Sequence, residues 1–411
     1  MKKIIIVGML ILFVLTISHP TPKIKLKMWT LFGGGEGYIM TNLIKEFNKE
    51  NPDIEIEEQI VDWGEYYNKL LTALAAGDPP DIAIMHLSVL PDYASRGALH
   101  ELKISETFLD DYVTPIIKAS YWKGKLYALP IDAHPIVLYY NKKVLKSAGL
   151  VDKAGNVLIP KTWTELLTYA KRVKDRTKNL GLTLEAVGAT LGERLWLSIY
   201  TQLGGTFFDK RTGKITIDLS RAERAYKIIK EFYDAEVASK SLTYDEAESL
   251  FQNSKTGYHI NGVWAMAVYP TVKDLEFGVT NLPSISVSVK PFTWADSHTF
   301  VFPKSPQSTP EKLKAGISFA TWFIQHTYEW AKAGHLPALK SVQNSKEFLS
   351  LPYRKDYVQV AELVVYAPSV IGWTQLRQEL WEIGQKVILG DLSPMDAAKL
   401  LKQKAEEITS Q

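Results

Sequence analysis

The stretch Pro130-Ile131-Asp132-Ala133-His134-Pro135 sets a carboxylate and an imidazole two residues apart between prolines. Each proline fixes its own φ and disfavours helix in the residue before it, so the pair stands on stiff, extended chain. Asp296 and His298 repeat the spacing on strand-like residues, where both side chains point to one face. Such a pair is half a metal site; more often it is a hydrogen-bonded couple. Glu36 lies in a glycine run, Gly33–Gly37, and His86 follows the apolar stretch that ends at Met85.

None of these groups falls into an enzymatic pattern. There is no Gly-x-Ser-x-Gly elbow, no His-Glu-x-x-His, no Walker pattern and no cluster of metal ligands along the chain. Neither a metal nor a cofactor is expected. A carboxylate pair for glycoside hydrolysis is a matter of spatial separation, and no pair is nominated. The aromatic supply speaks more clearly, with 11 Trp, 20 Tyr and 15 Phe. Trp63, Trp264, Trp294 and Trp373 fall in loops or at strand ends. Flat rings rimmed by acids and amides suit neutral polar rings such as sugars. A single tryptophan is more often core than ligand platform, and Trp122, Trp163, Trp322, Trp330 and Trp381 read as core. The set of four, falling beside Glu36, Asp132, His134 and Asp296, favours a sugar.

These residues need elements to hold them. Ile24–Trp29 alternates like a strand, Tyr38–Glu50 is amphipathic, Ile54–Val61 alternates again, Trp63–Ala76 is helical up to Gly77, and Asp81–Met85 is a buried strand. This β-α-β-α-β order predicts parallel strands flanked by helices, with ligands outside the carboxyl ends of the strands. Glu36 and His86 both fall there. The glycine run lacks a phosphate-binding spacing, and Glu36 would repel phosphate; it reads as a loop letting backbone amides and Glu36 approach a neutral ligand. Lys125–Leu129 and Ile136–Tyr140 read as strands, with 130–135 a loop or a crossing between lobes. Thr162 and Glu165 form a capping-box pattern, and Trp373–Ile388 and Ser393–Ile408 close the chain as helices.

A chain of 411 residues exceeds one core, so two lobes are expected. A net charge of +3 implies no nucleic-acid partner, and the absence of cysteine excludes disulfides and thiolate sites. Lys2-Lys3 before the apolar run Ile4–Ile17 and Ser18 reads as an export signal, cleaved after Ser18; an uncleaved anchor is the alternative.

Taken in order, Trp29…Gly33–Tyr38, the run from Phe47 to Ile56, Trp63–Asp81, Lys123–Asn141, Pro160–Trp163, Gly204–Lys214, Asn261–Ala265, Leu336-Pro337-Ala338 and Gly390–Ala397 resemble the extracellular solute-binding proteins of carbohydrate ABC importers, the group that includes maltodextrin-binding protein. The resemblance implies an α/β, two-lobed fold, each lobe a mainly parallel sheet flanked by helices, with the ligand cleft between. It implies an N-terminal lobe of 19–131 and 297–338, a C-terminal lobe of 135–292 and 341–411, and hinges near 131–135, 292–297 and 338–342. Ligand contacts carry over to Glu36, Met85, His86, Asp132, His134, Trp264 and Trp373, with Arg194 or Trp196 from a further helix; Trp63, Trp294 and Asp296 join them from the aromatic and hinge reading. The implied protein is a monomeric, non-enzymatic receptor in the periplasm or on the outer face of the membrane, closing on a sugar or oligosaccharide and delivering it to permease subunits. Two departures stand out: there is no lipobox cysteine, and Met85, His86 and Ser88 replace the tryptophan and acid of many relatives. A non-sugar solute (a polyamine or glycerol phosphate) and a secreted glycoside hydrolase are the rival readings.

Overall fold

The structure, a computed structural model, describes residues 23–187, 191–207, 215–368 and 370–409. The export signal within 1–18 lies outside these residues. Thr206–Ile217, hairpin-like in sequence around Arg211-Thr212-Gly213-Lys214, and Glu185–Thr190, a weak strand by its sequence, lie partly outside them too.

The first sheet grows from strand-helix-strand units. In Ile24–Thr30, Leu26 and Met28 turn inward while Lys25 and Lys27 face out, as the alternation requires. It pairs in parallel with Ile54–Ile60 on one side and Ile82–His86 on the other. The connecting helices are Gly34–Glu50 and Trp63–Ala76, the latter capped by Asp62 and closed by Gly77 at φ 75°. The glycine run is therefore the first turn of a helix rather than a loop. A Cβ at Gly37 would stand 2.7 Å from the carbonyl oxygen of Phe32, so this tight strand-to-helix turn needs glycine there. His298–Val301 pairs antiparallel with Ile82–His86, and Leu129–Pro130 pairs antiparallel with His298–Val301, which returns it to the direction of the first three strands.

The second sheet is organised around Asp132–Asn141, ten residues of which only Tyr140 is not fully buried. Thr256–Gly262, Phe277–Thr280, Thr293–Asp296 and Leu336–Pro337 all run antiparallel to it. The first sheet is thus mainly parallel with one opposed strand, His298–Val301, whereas the second is mixed. Strands that return from the other lobe enter in the opposite direction to the strand-helix-strand units. The expected loop at 130–135 is also strand from Asp132 on. Pro135 stands opposite Ala295 in the pairing, on a segment passing between sheets where a missing N–H is tolerated.

The two sheets are joined where the chain changes from one to the other: between Pro130 and Asp132, and between Asp296 and His298. Leu336-Pro337 lies beside them, paired with Ala133 and Asp132. Ile131 ties the three passages, donating its N–H to His298 O at 2.8 Å and accepting from Ala338 N at 3.1 Å. Beyond the third passage the chain bridges both sides. Lys340 and Ser341 bond to Asp111, while Val364-Val365 pairs with Thr293-Trp294. The helices Trp373–Leu389 and Pro394–Thr409 then pack into the core of the second sheet.

Candidate functional site

A cleft of about 370 Å³ opens where the two sheets meet. Leu31, Glu36, Trp63, His86, His134, Arg194, Tyr244, Trp264, His298 and His335 line it. Each reaches it for a local reason. Glu36 sits in the first turn of the helix after the first strand. Trp63 opens the next helix, and His86 ends the third strand. His134 shares a face with Asp132 on the central strand, at the spacing of two residues that strand geometry demands. Trp264 follows the strand that ends at Gly262, and its indole folds back over that glycine, where a Cβ would lie 2.0 Å from Cζ3.

Beneath the cleft, Asp132 is fully buried and gathers donors from all sides. Its Oδ1 accepts the backbone N–H of His298 at 3.0 Å and lies 3.2 Å from His134 Nδ1. Its Oδ2 lies 2.8 Å from His298 Nδ1 and accepts Trp330 Nε1–H at 2.6 Å. Burial acts to raise the pKa of this carboxyl, but the charges of His298 and His335 and the hydrogen bonds from His134 and His298 outweigh it and hold it well below its usual range. Burial works against protonation of His298 too, and there the Asp132 charge prevails and raises it. Burial wins at His134, pushed down to about 4, and at His86, pushed well below the usual imidazole range. Glu36 is half-buried; desolvation opposes its charge, yet His335 Nε2 at 2.7 Å from Oε1 keeps it below the ordinary value.

The opposite wall is built on Arg194. Its guanidinium lies 4.3 Å from the ring centre of Trp294 and 5.2 Å from that of Trp264. Burial lowers its pKa to about 10, which leaves it charged at neutral pH. Trp264 Nε1–H donates to Tyr244 Oη at 2.9 Å, which fixes the indole against the cleft.

The residues expected in the site divide in space. Glu36, Trp63, His86, His134 and Trp264 line one cleft. Asp132 lies under it, reached through its histidines. Trp294 is buried behind Arg194, and Asp296 is buried with its Oδ1 accepting from Ser88 N and Ser297 N. The structure does not bring Met85, Trp196 or Trp373 to the cleft. Met85 is the inward neighbour of His86, Trp196 stacks on Tyr200 at 4.7 Å, and Trp373 packs edge-on to Phe207; all are core residues. Asp296 and His298 are not a couple either, because the sheet change at Ser297 sends His298 to Asp132. Tyr244, His298 and His335 escaped the sequence reading as cleft residues, and Arg194 stood there only as an alternative to Trp196. The chain shows no cluster of metal ligands in sequence, but folding makes one: donor atoms of Asp132, His134, His298 and His335 lie within 4.8 Å of one another.

Residues 34–330 match the family model described as bacterial extracellular solute-binding protein. The maltotriose-binding protein of Pyrococcus abyssi is 25% identical over 397 residues, covering 93% of this chain and 82% of that one. The diacetylchitobiose-binding protein of Streptomyces coelicolor is 26% identical over 61% of this chain and 59% of its own. Among solved structures, the cyclic α-maltosyl-1,6-maltose binding protein of Arthrobacter globiformis superposes with a TM-score of 0.82 at 20% identity, covering 94% of this chain and 99% of that one. At that identity the likeness is one of fold.

Proposed function

This chain belongs to the bacterial extracellular solute-binding proteins, and we propose on that premise that it captures a sugar or oligosaccharide outside the cytoplasm and delivers it to the membrane subunits of an ABC importer. The observation that carries the reading is the cleft itself. It sits where the sheets meet, it presents the indoles of Trp63 and Trp264, and it sets Glu36, His134 and Arg194 around them. Its volume of about 370 Å³ falls at the lower end of the roughly 300–1,000 Å³ typical of ligand pockets. Indole faces pack on the C–H faces of sugar rings, while carboxylate, imidazole and guanidinium groups bond the hydroxyls. Relatives named for maltotriose and diacetylchitobiose support an oligosaccharide.

The mechanism is closure. A ligand in the cleft shifts the population towards the form in which both lobes touch it, because only that form makes both sets of contacts. The domain limits proposed are 19–131 with 297–338, and 135–292 with 341–411, turning at the three passages near 131–135, 292–297 and 338–342. The chain is exported with removal of residues 1–18, works as a monomer in the periplasm or on the outer face of the membrane, and catalyses no reaction on its ligand. The residues proposed to touch ligand are Glu36, Trp63, His86, His134 and Trp264, with Arg194 and Tyr244 added by the cleft lining.

One observation favours the glycerol phosphate rival over a polyamine: the cleft holds the Arg194 guanidinium but a single acid, Glu36, among its lining residues. Thermal unfolding of the exported chain against mono- and oligosaccharides, glycerol 3-phosphate and polyamines separates these ligands. A ligand bound only by the native state raises stability by about 2.7 kcal/mol at a hundredfold excess over Kd. A shift with one sugar class is expected. A shift with glycerol phosphate or polyamine alone would discard the sugar, and hydrolysis of an oligosaccharide during the incubation would discard the receptor.

A further inference from the structure

The floor of the cleft holds more donor chemistry than a sugar contact requires. Asp132, His134, His298 and His335 are all buried, and their donor atoms lie within 4.8 Å of one another. The imidazole ring centres stand 4.3 Å (His134 to His298), 5.3 Å (His298 to His335) and 5.9 Å (His134 to His335) apart. His134 Nδ1 and His298 Nδ1 both face the Asp132 carboxylate, at 3.2 and 2.8 Å.

His335 supplies the decisive detail. Its Nε2 lies 2.7 Å from the Glu36 carboxylate, which can only accept, so Nε2 carries the proton. In a neutral ring Nδ1 is then a lone pair, and in a charged ring it is an N–H that makes no hydrogen bond. That atom is buried, has no hydrogen-bond partner and sits 3.8 Å from Asp132 Oδ2. The ring cannot turn away from the cluster freely, because it is stacked on Trp330 with centres 5.0 Å apart and planes 10° from parallel. Either way a buried polar atom faces the Asp132 carboxylate with its hydrogen-bonding capacity unmet, which is unfavourable. A cation between the two satisfies both. A carboxylate that fixes the far nitrogen of a ligating histidine is the usual outer arrangement of a metal site, and Glu36 stands in that place.

We propose that this protein holds a divalent d-block cation, Zn(II) foremost, on Asp132, His134, His298 and His335 at the floor of its cleft. Three imidazoles and a carboxylate are the nitrogen and oxygen donors that Zn(II) takes in four-coordinate sites. Metal–ligand bonds of about 2.0–2.1 Å place tetrahedral donors roughly 3.4 Å apart. The separations of 2.8 Å (His298) and 3.8 Å (His335) from Asp132 Oδ2 bracket that value, and His134 lies 3.2 Å from Oδ1. The cation takes the place of the protons that now join Asp132 to His134 and His298.

Position gives the site its consequence. Asp132 and His134 stand on the first passage between the sheets, His298 opens the strand after the second, and His335 directly precedes the third. One cation would therefore link all the strands that pass between the lobes. His134, His298 and His335 also line the cleft, so the metal would form part of the surface that meets a ligand.

The test is made on the full chain without an affinity tag, stripped with chelator and titrated with ZnCl₂ in the absence of sugar. A single-site isotherm and a rise in Tm are expected, and Co(II) in place of zinc should give a visible d–d band. His298→Gln and His335→Gln should each abolish the band, with native circular dichroism as the control for folding. Glu36→Gln, which leaves the donors in place, should weaken zinc by roughly 10–100-fold. His86→Gln is the neighbour control. Its ring lies 4.9 Å from that of His298, but its Nδ1 is engaged by Tyr67, so zinc uptake should persist. Absence of uptake at micromolar zinc overturns the proposal, as does uptake unchanged by His298→Gln and His335→Gln, or lost equally in His86→Gln. Since no sugar is present, failure here leaves the receptor reading untouched.

Discussion

The two walls of the cleft are built to different standards. On the first, Trp63 is 54% exposed and meets its neighbours only edge-on, with ring centres 5.0 Å from His86 and 5.9 Å from Tyr67. On the second, Trp264 is held on several sides. Its N–H is bound by Tyr244 Oη at 2.9 Å, and that hydroxyl donates to Glu248 at 3.1 Å. Asn261 donates to both Tyr244 and Glu248, and the Arg194 guanidinium covers the indole. A ligand that orders a free side chain loses about 0.5–1.5 kcal/mol of binding for each one immobilised. The first wall carries that cost at Trp63. The second met it during folding. A sugar should therefore settle on the second wall, and the first should close over it.

The sharpest way to break this contrast is to remove the rigid platform. Trp264→Ala should weaken sugar binding most, by roughly 30-fold or more, which is the 2 kcal/mol or above typical of a well-packed anchor. Isothermal titration with the sugar found by the unfolding screen measures it. A loss below threefold would show that the braced indole is scaffolding.

Gly262→Ala tests the same wall without touching the indole. The backbone at Gly262, φ −80°, accepts alanine readily, but the new Cβ would lie 2.0 Å from the Trp264 ring. The indole must move, so affinity should fall about tenfold, or 1.4 kcal/mol, while the fold stays intact. Unchanged affinity with a shifted Trp264 would mean that its placement is unimportant.

These effects bear on how much of the site the sequence disclosed. Glu36, Trp63, His86, His134 and Trp264 were legible because each stands at the end of an element whose alternation or capping can be read directly. Met85, Trp196 and Trp373 failed for a reason of phase. Adjacent strand residues face opposite ways, so His86 in the cleft puts Met85 in the core. On the helix Leu191–Gln202, positions two apart diverge, so Arg194 meets the cleft and Trp196 the core. His335 was hidden because its meaning depends on Glu36, 299 residues away. The fold was legible at the level of units: the strand-helix-strand order gave the first sheet, but the antiparallel returns come from pairings between distant segments, which periodicity does not encode.

On the open wall, Trp63→Ala should have a smaller effect than either change above. The stacking lost is partly offset by the ordering no longer required, so a loss of about three- to fivefold is expected, roughly 0.6–1 kcal/mol. Stopped-flow quenching of tryptophan fluorescence would locate the change. If Trp63 acts in closure, dissociation quickens while association holds nearly constant. A loss equal to that of Trp264→Ala would end the distinction between the walls.

Tyr67→Phe should have the smallest effect, and it probes what little bracing the first wall has. The Tyr67 hydroxyl lies 2.8 Å from His86 Nδ1 and accepts the His86 backbone N–H at 3.0 Å. With the hydroxyl proton given to Nδ1, the neutral His86 ring carries its own proton on Nε2, a donor facing the cleft. Burial keeps the ring neutral, so no second proton takes over when the hydroxyl is removed. The ring would then be free to turn, and its donor would no longer be aimed. A neutral hydrogen bond contributes about 0.5–1.5 kcal/mol, mostly to folding, so sugar affinity should fall by no more than about threefold while Tm drops measurably. An affinity loss near tenfold with Tm unchanged would reverse the assignment, making the first wall a preorganised surface whose order rests on Tyr67 and His86.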